Sequence, residues 1–187
     1  MARPTFVQKA RKDIPQAGVV KGESYYWWSF LRGGKHYSKT PPKPSQLTSS
    51  EFLSQFYAIQ ERIAELDAND ELQSVIEELA TDLTSLADEC RDKVSNLPDS
   101  LQSSPTAELL ENRADACESA ASDFESIDCD LPSDEDLLTD ANFDDEHGED
   151  ESEEDYEERK AEALAEARQE FWDNVLEEVQ SVSLDAE

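Results

Sequence analysis

Histidine and glycine are scarce in this chain, with two of the former and five of the latter in 187 residues. His36 follows a glycine pair in a basic stretch and His147 lies in an acidic one, so the sequence offers no histidine pair for general-base or metal work. So few glycines leave no phosphate-cradling loop, and no Ser or Cys stands in a recognisable nucleophile signature. The three cysteines, Cys90, Cys117 and Cys129, are odd in number and share no metal-ligand spacing. That argues against a disulfide framework or a zinc site, and for buried thiols in a reducing compartment. No run approaches ~18 apolar residues, and Met1-Ala2-Arg3-Pro4 leads into no apolar stretch of signal length. These absences lead us to expect a protein that is not an enzyme, needs no cofactor or metal, has no membrane partner and works in the cytoplasm.

What the chain has in excess is negative charge. Against 16 Lys and Arg stand 46 Asp and Glu, a net of −30. Self-repulsion on that scale opposes dense packing and suits extended, solvent-rich helices. Duplex nucleic acid and anionic membranes would repel the molecule as a whole. The charge is polarised, however: residues 1–50 hold nine basic side chains against Asp13 and Glu23, a net of +7, and the other 137 residues carry −37. Such asymmetry implies modules with different partners, or one that can fold onto the other.

The pattern along the chain predicts a mainly α protein with a small N-terminal β-hairpin, an antiparallel helical hairpin or coiled bundle, an acidic disordered tract and a C-terminal helix. Residues 1–20 read as a mobile arm with a helical turn near residues 6–12. Ser24-Tyr25-Tyr26-Trp27-Trp28-Ser29-Phe30-Leu31 reads as a strand, Arg32-Gly33-Gly34-Lys35 as a tight turn and His36-Tyr37-Ser38-Lys39-Thr40 as the returning strand, with residues 19–21 available as a third. Pro41-Pro42-Lys43-Pro44 is a stiff spacer that marks a module boundary. Thr48 and Glu51 have the spacing of a capping box.

Behind it Phe52, Phe56, Ile59, Ile63 and Leu66 line one helix face. After a break, with Asp70 as the expected cap, Leu72, Ile76, Leu79, Leu83, Leu86, Cys90, Val94 and Leu97 line the next, which Pro98 ends. Ser104-Pro105 has the form of a helix start, and Leu110, Ala114, Cys117, Ala121 and Phe124 follow on one stripe. Residues 134–158 contain fifteen acidic side chains and no Lys or Arg, a composition that allows no packed core, although residues 134–141 could form a transient turn of helix. A last helix is predicted from about residue 153 to 182, with Leu164, Ala167, Phe171, Val175, Val179 and Val182 on one face. The expected domains are therefore a head at 1–47, a helical bundle at 48–130, an acidic linker at 131–152 and a C-terminal helix at 153–187.

Two stretches are candidate binding sites. Tyr26, Trp27, Trp28 and Phe30 lie among Arg32, Lys35 and Lys39. Strand alternation would leave one aromatic face exposed and rimmed by cations, suited to stacking bases or to gripping a protein partner. The alternative is that these rings only form the core of a small domain. Glu149, Asp150, Glu151, Glu153 and Glu154 form the densest part of the acidic tract and could imitate the charge of duplex DNA; the plainer role is a solvating tail. Asp144-Asp145-Glu146-His147-Gly148 lacks the ligand spacing of an EF-hand loop.

The strings Lys9-Ala10-Arg11-Lys12-Asp13-Ile14-Pro15, Lys21-Gly22-Glu23-Ser24-Tyr25-Tyr26-Trp27-Trp28, Gly33-Gly34-Lys35 and Ser38-Lys39-Thr40-Pro41-Pro42-Lys43-Pro44-Ser45-Gln46-Leu47-Thr48, with the later Leu109-Leu110-Glu111-Asn112-Arg113-Ala114-Asp115-Ala116-Cys117-Glu118, resemble uncharacterised proteins of tailed bacteriophages and prophages. That resemblance implies an accessory protein in a host bacterial cytoplasm and brings no activity with it. The expected function is an acidic interaction protein that binds a basic surface on a host or phage nucleic-acid enzyme, as a DNA mimic or host defence inhibitor. The alternative is a nucleic-acid-binding accessory protein that uses the basic head and is autoinhibited by the acidic tail. The heptad-like stripes also leave room for a coiled-coil homo-oligomer.

Overall fold

The structure is a computed structural model, and it describes residues 1–31, 33–141, 143–144 and 152–185. It is mainly helical, with a small N-terminal sheet, and it divides into two compact units, Met1–Ala64 and Glu65–Glu187.

In the first unit, β1 (Thr5–Val7), β2 (Tyr25–Ser29) and β3 (Lys35–Ser38) form an antiparallel sheet in the order β1-β2-β3. The expected hairpin is β2–β3. Its third strand is not residues 19–21 but Thr5–Val7, within what reads locally as a mobile arm. Thr5, Phe6 and Val7 are β-branched or aromatic, and each pairs across to Trp27, Tyr26 and Tyr25. The loop is also longer than a two-residue turn, because Ser29 faces Lys35 across residues 30–34 and the Gly33 N–H donates to the Phe30 carbonyl. Among the described residues, the glycines that take positive φ are Gly18 (63°), which closes a 3-10 turn at Pro15–Ala17, and Gly22 (99°).

The proline spacer does not separate the head from the next helix. Pro44 opens a 3-10 turn, Pro44–Leu47, that joins the sheet to α1 (Glu51–Ala64). The Trp28 indole N–H donates to the Gln46 carbonyl at 3.0 Å. Glu61 of α1 accepts both the N–H and the hydroxyl of Ser45, each at 2.8 Å, and the Ser54 hydroxyl donates to the Ser45 carbonyl. The Ala2 N–H reaches the Leu47 carbonyl at 2.6 Å. The division therefore falls after Ala64 and not at the expected 47/48 boundary. α1 buries Phe52, Phe56, Ile59 and Ile63 as their spacing predicts, while Leu66, expected on the same face, lies past the helix end and is half-buried. Its start differs, since Ser50 supplies the cap by accepting the Leu53 N–H at 3.4 Å and Thr48 binds the Ser50 N–H.

The second unit is built on α2 (Leu72–Ser95) and α3 (Pro105–Glu125). Ile76 and Ala80 share a cavity wall with Phe124 and Ile127, while Arg91 bridges to Asp115 and Glu118. Those pairings run in opposite directions along the two helices, so the hairpin is antiparallel. Leu72, Ile76, Leu79, Leu83, Leu86 and Cys90 are buried on α2 at alternating spacings of four and three, the expected stripe. α3 answers with Ala107, Ala114, Cys117, Ala120, Ala121 and Phe124; the small side chains let the backbones approach, and Phe124 fills the end. Leu110 is only half-buried, because the stripe passes beside it. Ser104 caps α3 by accepting the Ala107 N–H at 3.3 Å, with Pro105 in the first turn as read from the sequence. At α2 the expected Asp70 cap is absent; Asn69 accepts the Glu71 N–H instead.

The acidic linker is partly folded. α4 (Asp134–Asp140) buries Leu137, and α5 (Glu153–Ser181) buries Trp172, Val175 and Val179. The turn of helix anticipated at residues 134–141 is present as α4, and the burial of Leu137 shows that it packs where only a transient turn was expected. One apolar side chain and a served helix start are enough to hold a single turn or two against neighbouring α5. Phe171, expected in the α5 stripe, is half-buried, and Trp172 takes the interior position.

The cysteines follow this packing. Cys90 and Cys117 are buried on α2 and α3, and Cys129 is half-buried. Burial pushes the Cys117 thiol up to about 11, aided by neighbouring Cys90, and raises Cys90 and Cys129 as well. Because the thiolate is the nucleophile, iodoacetamide at about pH 8 should modify Cys129 first and leave Cys90 and Cys117 untouched until the unit unfolds. Equal rates for all three by peptide mass spectrometry would show that the α2–α3 interior opens in the native state.

Candidate functional site

The pleat sorts the aromatic residues of the head onto two faces. Register puts Phe6, Tyr26, Trp28 and His36 on one side and Thr5, Val7, Tyr25, Trp27, Tyr37 and Lys35 on the other. Trp28 is 5 % exposed, stacked on His36 at 5.6 Å and tied to Gln46. It serves the interior, so the expected binding role for Trp28 does not survive its placement. Phe30 lies at the same end, 5.4 Å from His36. Tyr26 packs on Phe6 at 5.0 Å, and Phe6 is itself exposed.

The opposite face carries three rings and a cation. Lys35 holds its ammonium 4.9 Å from the Trp27 ring centroid, and Tyr25 and Tyr37 meet at 6.1 Å. All three rings are half-buried. Beside them is an open cavity of about 640 Å³, walled by Tyr25, Tyr37 and Val7 on the sheet and by Lys9, Arg11 and Lys12 from the segment after β1. Lys39 takes no part in it. Its ammonium pairs with Glu23 at 3.0 Å, and Glu23 also accepts the Val20 N–H; that N–H first, and Lys39 second, hold the Glu23 carboxyl below its ordinary range. Arg32 lies outside the described residues.

The acidic candidates divide similarly. Glu149, Asp150 and Glu151 lie outside the described residues. Glu153 and Glu154 are exposed in the first turn of α5, where Ser152 accepts the Asp155 N–H at 3.2 Å and donates to the Asp155 carboxylate at 2.7 Å. Ser133 does the same with Asp136 at the start of α4, at 3.3 and 2.6 Å. Acidic side chains at helix starts complement the exposed N–H groups and the helix dipole, so Glu153 and Glu154 help begin a helix whatever else they do. Among the described residues, no cluster of three or more His, Cys, Asp and Glu side chains could hold a metal ion.

No family model matches this chain, no curated protein matches it in sequence, and no solved structure matches its fold. The site must therefore be judged on its own chemistry.

That chemistry consists of half-buried aromatic rings beside a wall of lysine and arginine side chains. Trp27 and Lys35 are legible from the sequence, whereas Tyr26 falls on the other face; Tyr25 and Tyr37 are not singled out by it, nor are Lys9, Arg11 and Lys12, which read as part of a mobile arm. The available signal is the run of β-branched and aromatic residues Thr5-Phe6-Val7, which favours a strand and so anchors the basic segment behind it.

The body carries a second arrangement. Glu65–Glu187 contains six Lys and Arg against forty-two Asp and Glu, and several of those cations are engaged within the unit. Arg91 of α2 pairs with Glu118 of α3, with Asp115 at 3.6 Å. Arg168 of α5 pairs with Asp134 of α4 at 2.6 Å. Arg159 donates to the Asp144 carbonyl and lies over the Phe143 ring. Lys93 bonds Glu89 one turn away. The Arg91 pairing lowers the Glu118 carboxyl. Its contribution is therefore present above the ordinary carboxylate pKa and lost as pH falls through the depressed value. Between these crossings, Glu77, Glu78, Asp82, Asp88, Asp123 and Glu125 are exposed. Among the described residues no helix is long and apolar enough to cross a membrane.

Proposed function

We propose that the chain is a non-catalytic interaction protein of a bacterial cytoplasm whose acidic helical body docks on a basic surface of a nucleic-acid enzyme and competes there with nucleic acid. The supporting observation is the spending of cations: the body uses Arg91, Arg168, Arg159 and Lys93 on internal partners and so presents its carboxylates on ordered helices. Fixed negative charges attract a basic partner without the ordering cost that a disordered acidic tail would incur.

The test is capture of a partner by the full-length protein, followed by measured affinity. Affinity should fall steeply between about 50 mM and 200 mM salt, as expected when charges drive association. Duplex DNA should displace the protein, and changing Glu149, Asp150, Glu151, Glu153 and Glu154 together to Gln or Asn should weaken binding and flatten its salt dependence. A partner indifferent to salt, to DNA and to that variant would refute the proposal.

A further inference from the structure

The cavity beside the open sheet face has a composition unlike the rest of the molecule. Met1–Ala64 holds ten Lys and Arg against four Asp and Glu, and three of those ten, Lys9, Arg11 and Lys12, wall one cavity with two tyrosines. All three are exposed, and among the described residues none is in an ion pair. Asp13 also borders the cavity, but its carboxylate accepts the Lys21 N–H at 2.7 Å. That hydrogen bond fixes the basic segment against the chain that follows. The segment is held again where Ala10 exchanges backbone bonds with Gly22 and Glu23, at 2.9 and 2.8 Å. The cations thus stand on a braced loop.

We propose that this face binds a single-stranded nucleic-acid segment, with one nucleotide seated in the cavity and the strand continuing over Trp27. The volume, about 640 Å³, lies within the range of small-ligand sites, roughly 300–1,000 Å³. A base can stack on Tyr37 or Tyr25 while its phosphate meets Arg11 and Lys12, the pairing of aromatic platform and cationic groove by which single strands are held. Trp27 follows Tyr25 by two residues on the same face, a separation of about 7 Å along a strand, which gives a second base its own ring. Lys35 lies over that ring. Its flexible stem can swing to a phosphate as a base takes its place. A free nucleotide would use only the cavity, and a duplex would bury its base faces, so the aligned rings favour an unpaired strand.

The test uses the full-length protein and a fluorescein-labelled oligothymidylate of about 15 nucleotides, near the span of a small single-strand-binding domain. Anisotropy is read between about 50 mM and 200 mM salt. Binding should appear at the lower salt. Reversing Arg11→Glu and Lys12→Glu together should reduce affinity at least tenfold and lower the salt slope by about 1.4, since each single-strand phosphate contact contributes about 0.7. Tyr37→Ala should weaken binding with the slope retained, because stacking releases no counterions. Arg3→Glu with Lys21→Glu, cations of the same unit that do not wall the cavity, should have the smaller effect. The proposal is overturned if the wild-type chain does not bind at the lower salt or if the two double reversals are equivalent. It is equally overturned if thymidine monophosphate competes as well as the oligonucleotide per molecule, or if polyglutamate does.

Discussion

Replacing Phe124 with alanine should cost the helical body about 3–5 kcal/mol, the range for truncating a fully buried aromatic side chain. Phe124 is 0 % exposed and lies where α3 crosses the start of α2, among Ile76, Ala80 and Ile127. Most of the neighbouring α3 positions are alanine, so no large side chain there can slide into the space left behind. Leu83→Ala should follow at about 2–4 kcal/mol, whereas half-buried Leu110→Ala should cost less.

The loss matters because the margin is small. A domain is stabilised by only about 5–15 kcal/mol in total, and forty-two carboxylates in one unit repel one another. Urea is the right denaturant, since guanidinium would screen that repulsion as well as unfold the chain. The midpoint of urea unfolding, followed by circular dichroism, should fall with an unchanged slope. A Phe124→Ala shift of less than about 0.5 kcal/mol would mean that the ring is not in a packed interior.

How much of this could be read beforehand depended on distance along the chain. The stripes of α2 and α3 are local patterns, and Leu72 through Cys90 are buried where the spacing puts them. Ser104-Pro105 is a local signal too, and it starts α3 as expected. The misjudged features are those decided by remote partners. A three-residue strand such as Thr5–Val7 has no identity until β2, about twenty residues on, supplies its hydrogen bonds. In the same way α1 belongs with the head because Glu61 reaches back to Ser45, a pairing that periodicity does not encode. Competition between nearby hydroxyls accounts for the displaced cap: Thr48, Ser49 and Ser50 can each serve, and the first turn selects Ser50.

The candidate site was half legible for a related reason. Composition shows that aromatic and basic residues cluster, but only the register shows which ring faces which way. A shift of one residue would exchange Trp27 and Trp28. Their separation by the pleat also accounts for how a head of this size can both hold together and keep a face available. One set of rings supplies the packing that few aliphatic side chains are present to provide.

The two tryptophans should therefore behave oppositely when each is changed to alanine. Trp28→Ala removes a side chain that is 5 % exposed, its stack on His36 and the indole bond to Gln46 that joins sheet to turn. The expected cost is about 3–5 kcal/mol, read as loss of the unfolding transition of the first unit. Trp27→Ala removes a half-buried ring whose visible partner is the Lys35 ammonium, and should cost about 1 kcal/mol. Its effect should instead appear as weakened oligothymidylate binding. If Trp27→Ala unfolds the unit while Trp28→Ala leaves it intact, the faces are assigned the wrong way round. If both unfold it, the rings form one interior and the open face does not exist. The ordering of the two stability changes tests the register itself, since only strand alternation gives adjacent, chemically identical residues such different roles.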